Sequence, residues 1–193
     1  MEQGGVGGKR RLFVAIPAPA GLREVVLAAQ QALPPASGLR LLGREQWHVT
    51  LTFIGEVGPA QEEIARKVVE GLSGDMGGEA IVGGFLMLPS PNRARVVTLE
   101  LTDGNGVFQA LFEAVMGGLE AGGVALREKR PFKPHLTIAR LKRPGVVRPR
   151  YESEQAVFAV QSVCLYRSEL RREGAEYTVV SRRALSPGGV EGI

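Results

Sequence analysis

Two short segments of this chain repeat one pattern. His48-Val49-Thr50-Leu51 and His135-Leu136-Thr137-Ile138 both read His-x-Thr-x, and together they hold both histidines of the chain. Side chains alternate across a β-strand, so in each copy His and Thr share one face while the two apolar residues take the other. If the two strands lie side by side, two imidazoles and two hydroxyls converge on one point.

The remaining chain supplies the elements such strands need. With 193 residues, 44% of them hydrophobic, it can build one compact domain or two small lobes sharing an interface. Arg11–Ile16 reads as a strand stopped by Pro17, and helical spacing over 20–33 runs to Pro34-Pro35. Leu39–Leu42 is a short strand. Trp47–Ile54 is a strong one, broken by Gly55. Pro59 opens a helix to about Leu72. Ala80–Leu88 and Arg95–Leu101 are strands around a Pro-Ser-Pro-Asn turn, and Val107–Leu119 is an amphipathic helix. Pro134–Leu141 carries the second motif, followed by a basic, proline-containing loop over 143–152. Ala156–Arg167 and Ala175–Arg183 close as two antiparallel strands about Gly174. Each half thus holds a His-x-Thr strand and a long helix. The expected fold class is α+β. Two duplicated lobes line a central cleft with antiparallel sheet, and helices pack outside. The domain spans residues 10–184, with 1–9 and 186–193 as disordered tails.

Several chemistries are poorly served. Zinc wants three or four protein ligands, whereas this chain offers two imidazoles and one thiol, and no carboxylate cluster adjoins either histidine. There is no Gly-x-Ser-x-Gly elbow for a serine nucleophile. The glycine-rich Gly4–Gly8 and Gly117–Gly123 lack the Gly-Lys-Ser/Thr ending of a phosphate loop and read as tails or turns. Cys164 lies in an apolar strand, where it acts as a small buried hydrophobe, and a single cysteine fits a reducing cytoplasm. No apolar run approaches the ~18–20 residues a membrane helix needs. Nothing points to a bound cofactor, and the chain is expected to be a cytoplasmic monomer.

Net charge is +4, and the position of the charges says more than the total. Lys129, Arg130, Lys133, Arg140, Lys142 and Arg143 flank the second motif, as a phosphate-attracting rim would. Cleaving a phosphodiester at neutral pH needs a base, an acid and donors for the phosphoryl oxygens. Histidine, with an ordinary pKa of ~6.5, can serve as either acid or base near neutrality. The threonine two residues on can donate to a non-bridging oxygen.

These motifs resemble those of the 2H phosphoesterase superfamily, in particular the RNA 2′,3′-cyclic phosphodiesterases, also called 2′-5′ RNA ligases. The resemblance rests on Arg11–Ile16, on Trp47–Gly55, on Pro131–Arg140, and on Leu165-Tyr166-Arg167-Ser168 with Gly174 and Tyr177. It implies a bilobal α+β fold with a pseudo-twofold axis, and metal-independent hydrolysis of a terminal RNA 2′,3′-cyclic phosphate to a 2′-phosphomonoester. Reverse 2′-5′ joining follows from microscopic reversibility. By the same resemblance His48 donates the proton to the leaving 3′ oxygen, His135 activates water, Thr50 and Thr137 hold phosphoryl oxygens, and Arg140 helps bind phosphate. Strand parity sets Arg140 on the face away from His135 unless the strand bulges near Ala139. Phe53 has the same parity problem and reads as core. Two alternatives stay open: a module that binds RNA ends without turnover, and a phosphodiesterase acting on a small cyclic nucleotide.

Overall fold

The strand-forming runs pair into one antiparallel sheet in a computed structural model that describes residues 8–35, 38–126, 131–171 and 174–187. In chain order the strands are β1 (Arg10–Pro17), β2 (Leu39–Leu41), β3 (His48–Val57), β4 (Gly78–Leu88), β5 (Ala94–Thr102), β6 (His135–Gly145), β7 (Ala156–Val160), β8 (Ser162–Arg171) and β9 (Gly174–Ala184). The helices are α1 (Arg23–Ala32), α2 (Pro59–Glu70) and α3 (Val107–Ala121). The expected α+β class stands. The expected tails lie largely outside the described residues.

Strand order is β7-β4-β5-β6-β3-β1-β8-β9, with β2 added to β6. The sheet therefore has two four-stranded halves, β6-β5-β4-β7 and β3-β1-β8-β9, each counted outward from a His-x-Thr strand at the centre. Within a half the pairing is long; β1 and β3 stay paired from Arg10↔Val57 to Pro17↔His48, through two register shifts. Between the halves it is brief: β3 and β6 pair only at Val49↔Leu136. The apolar members of both motifs, Val49, Leu51, Leu136 and Ile138, belong to one buried cluster that spans the two halves.

Four sequence expectations need correction. The run 156–167 is two strands, because β7 pairs with β4 while β8 pairs with β1 in the other half. Only Gln161 separates them, and its carbonyl accepts from the Leu185 amide at 2.8 Å. A one-residue link spans at most ~7 Å, so the sheet curls until its β7 edge returns to β8. Gly55 does not break β3; it stays in the strand with φ 87°, beside a register shift opposite Leu12 and Phe13. Strand β6 runs on to Gly145, beyond the expected end at Leu141. Gly117 and Gly118 lie inside α3 rather than in a turn. A Cβ on Gly118 would meet Val68 Cγ1 at 2.8 Å, so the glycine lets α3 press against α2.

Helix α2 is pinned to the sheet through Glu62. Arg10 Nη1 donates to its carboxylate at 2.7 Å and Arg167 Nη2 at 3.0 Å. Burial works against ionisation of Glu62, but the two guanidinium hydrogen bonds prevail and hold its carboxyl below the usual range. No helix among the described residues is long and apolar enough to cross a membrane.

Candidate active site

At the single β3–β6 contact Val49 and Leu136 are both buried, so the residues on either side of them point to the opposite face. Antiparallel register sets His48 across from Thr137 and Thr50 across from His135. All four are half-buried. The convergence expected from strand parity is thus what the sheet builds.

Both strands then bulge at the same offset. In β3, Val14↔Thr52 is followed by Ala15↔Thr50, leaving Leu51 as the extra residue. In β6, Val97↔Ala139 is followed by Thr98↔Thr137, leaving Ile138 extra. One inserted residue reverses the alternation beyond it. Phe53 and Arg140, each five positions after its histidine, are thereby returned to the histidine face. The reading of Phe53 as core is wrong: the ring is 50% exposed and lies 5.9 Å from Phe13, between centroids. The parity objection to Arg140 disappears for the same reason, and its charge acts on the His48 ring.

The β6 bulge has a dedicated support. Extra residue Ile138 turns its carbonyl away from β5, and a buried carbonyl needs a donor. The Leu42 amide donates to it at 2.9 Å and Gln30 Nε2 at 2.9 Å. Gln30 Nε2 also donates to the Leu42 carbonyl at 2.8 Å. Sequence reasoning missed Gln30, although a signal was present: it sits one turn after Val26 on the apolar stripe of its helix.

Each imidazole is tethered to the residue two positions before it. His135 Nδ1 lies 2.7 Å from the Lys133 carbonyl, and the His48 ring hydrogen-bonds the backbone of Gln46. Donation from Nδ1 to a carbonyl fixes the neutral tautomer with its lone pair on Nε2. The tethering residues are themselves anchored. Gln46 Nε2 donates to the Ala175 carbonyl at 2.8 Å, and Lys133 Nζ is 3.4 Å from a Glu100 carboxylate oxygen. Lys133 is therefore committed to an ion pair as well as to the rim. Lys129 and Arg130 lie outside the described residues.

The two histidines differ in surroundings. His48 packs against Phe13 at 4.9 Å, Tyr177 at 5.2 Å and Tyr166 at 6.1 Å between ring centroids. Its pKa is pushed down to about 4. Burial among these rings is the main cause, the Arg140 charge adds to it, the Gln46 hydrogen bond opposes it, and His135 lowers it slightly. In the free protein at neutral pH, His48 is uncharged. Cys164 is fully buried beneath this aromatic layer, as expected for a small hydrophobe, with Arg182 Nε 3.3 Å from its sulfur.

Comparison with known proteins agrees with this architecture. The family model for the 2′-5′ RNA ligase superfamily matches residues 18–172. The chain belongs to that superfamily. An RNA 2′,3′-cyclic phosphodiesterase of Methanothermobacter thermautotrophicus is 30% identical over 179 residues, covering 88% of this chain and 96% of that protein. A protein of the same name from Archaeoglobus fulgidus is 35% identical over 155 residues, covering 75% and 82%. The crystal structure of Escherichia coli LigT in apo form matches with a TM-score of 0.76 at 25% identity, over 93% of this chain and 99% of that one.

Proposed function

We propose that this member of the superfamily hydrolyses the terminal 2′,3′-cyclic phosphate of RNA to a 2′-phosphomonoester, by acid–base catalysis between His48 and His135. The observation that carries the proposal is the β3–β6 crossing, where both imidazoles, both threonine hydroxyls and Arg140 share one face. The names of the curated relatives supply the substrate class.

His135, with Nδ1 engaged by Lys133, presents Nε2 as the base that takes a proton from water. Water attacks phosphorus, the bond to the 3′ oxygen breaks, and His48 delivers a proton to that oxygen. Thr50 and Thr137 donate to non-bridging oxygens, and Arg140 balances their charge. Phe53 offers an exposed ring face to the terminal base. His48 is neutral in the free protein, so it takes up a proton from solvent as the substrate binds: an anionic phosphate beside Arg140 offsets one cause of the low pKa. A five-membered cyclic phosphate is strained, which lessens the demand for a metal. Among the described residues no group of three His, Cys, Asp or Glu side chains is placed to hold one. Run backwards, the same site joins a cyclic end to a 5′-hydroxyl through a 2′-5′ bond.

The test is incubation with RNA ending in a 2′,3′-cyclic phosphate, in EDTA, with the phosphate position mapped in the product. Wild type should yield a 2′-phosphate, and His48→Ala and His135→Ala should not. No turnover by the wild type would sink the proposal in favour of end binding without catalysis. Turnover surviving in either variant would refute the paired acid–base roles.

A further inference from the structure

Cations beside the site are distributed unevenly. On the side of the β8–β9 hairpin, a cavity of about 540 Å³ is lined by Arg40 and Arg171, balanced by Glu45 and Glu176. Arg171 pairs there with Glu176 and with Glu169. At the far end of β5 and β6 the balance is lost. The 3₁₀ turn Pro91–Arg93 leads into β5, and Ala94↔Gly145 and Val96↔Arg140 bring the two strand ends together. Four residues of β6, from Leu141 to Pro144, face Arg95 alone. On its other edge β6 pairs with β2 from Ala139 to Leu141.

This geometry gathers Arg93, Arg95, Arg140, Lys142 and Arg143, all exposed, at one end of the site. None of the five enters a salt bridge among the described residues. The chain has no Asp or Glu from residue 80 to 99 or from 131 to 151, so neither segment carries its own counter-charge. One terminal phosphate accounts for Arg140 but not for the rest. Arg140 and Gly145 pair with Val96 and Ala94, only two residues apart on β5, so the four β6 residues between them bulge and carry Lys142 and Arg143 away from the position of Arg140.

We infer that the rim formed by Arg93, Arg95, Lys142 and Arg143 is a track for the sugar–phosphate backbone of single-stranded RNA, upstream of the terminal nucleotide held at Arg140. The inference rests on the proposed function for the identity of the terminal group. It adds that the protein favours a polynucleotide over a mononucleotide, and it names the residues that make the difference. Binding here is electrostatic and indifferent to sequence, because phosphates carry no base identity.

The decisive experiment uses the full chain and two probes, a 5′-labelled ten-nucleotide RNA ending in a 3′-phosphate and a nucleoside 3′-monophosphate. RNA affinity is read by fluorescence anisotropy across a salt series, mononucleotide affinity by calorimetry. The variant is Arg95→Gln/Lys142→Gln/Arg143→Gln, with the Lys-for-Arg version at 95 and 143 as a charge-retaining control. The track predicts tighter RNA than mononucleotide binding in the wild type. The neutral variant should lose RNA affinity at least tenfold and keep mononucleotide affinity. Its log K against log salt slope should flatten by about 2, since each lost phosphate contact on a single strand contributes ~0.7. Equal weakening of both probes, an unchanged RNA affinity, or a wild type with no preference for RNA would overturn the track. Wild-type protein that binds RNA through these residues yet leaves a 2′,3′-cyclic end intact would support the track while refuting the proposed reaction.

Discussion

The two His-x-Thr strands are built to one plan and used differently. Each places its histidine and threonine beside the other strand, each tethers the imidazole to the residue two before it, and each bulges one residue past the threonine. The bulge returns position five after the histidine to the reactive face, and there the halves part. One presents Phe53, an apolar ring, and the other Arg140, a fixed charge. One backs its histidine with Phe13, Tyr166 and Tyr177, while the other holds it next to an exposed Lys133–Glu100 pair. The support under the bulges differs too. Gln30 satisfies the Ile138 carbonyl in β6, whereas in β3 the buried Thr52 hydroxyl has no hydrogen-bond partner. A symmetric scaffold thus yields an asymmetric site, with a neutral aromatic wall on one side and cationic on the other. A cyclic phosphate carrying a base needs both.

The largest effect tests what the halves share. His48→Ala and His135→Ala should each lower kcat by ~10²–10⁴-fold. The double variant should be little worse than the more damaged single variant, because the two act on one phosphoryl group. Additive losses would mean that the halves work independently.

Next comes the divergent fifth position. Arg140→Gln should lower kcat/KM by about 10²-fold, as loss of a transition-state donor does. It should also move His48. The folded pKa of about 4 lies below the ordinary value, and removing the Arg140 charge takes away one of the causes holding it there. The pKa must therefore rise, yet stay below 6.5 because burial, the larger cause, remains. With only two histidines in the chain, an NMR titration of the imidazole signals would show it. A fall, or no change, would place Arg140 away from His48. The same low pKa means that binding a cyclic phosphate near pH 7 should take up protons, seen as a dependence of the calorimetric enthalpy on buffer. Phe53→Leu should act on KM rather than kcat, by about tenfold, in line with the lower part of the ~1–3 kcal/mol range for base stacking.

The supports under the bulges should give the smaller effects. Gln30→Leu removes one of two donors to the Ile138 carbonyl and should cost about 1–2 kcal/mol of stability by denaturant unfolding. Activity should fall towards that of Arg140→Gln, with the His48 tether intact. In contrast Thr52→Val discards a hydroxyl that bonds to nothing, so stability should change by no more than about 1 kcal/mol and not downward. A loss in Thr52→Val equal to that in Gln30→Leu would erase the distinction between the two bulges.

Periodicity in the sequence was enough to place most of this fold. The His-x-Thr pairs, with β-branched or leucine neighbours, determined which side of each strand would be buried, and that alone forced the histidines onto one face. Helices α2 and α3 followed from spacing and from Pro59 at the first helical position. What periodicity could not carry was any point at which it is interrupted. Leu51 and Ile138 look like ordinary alternating residues; only a partner strand that skips one position makes them bulges. Phe53 was misplaced, and Arg140 doubted, for that single reason. The run 156–167 likewise reads as one strand, because nothing local marks Gln161 as the residue at which the chain changes halves. Gln30 and Gln46 looked like unremarkable polar residues until their amides met carbonyls of Ile138, 108 positions away, and Ala175, 129 positions away. The sequence by itself determined that two imidazoles and two threonine hydroxyls would share one face, because side-chain alternation is local. The tertiary structure decided which residues five positions on reach that face and how His48 holds its proton, because register, burial and neighbouring charge arise only when distant strands meet.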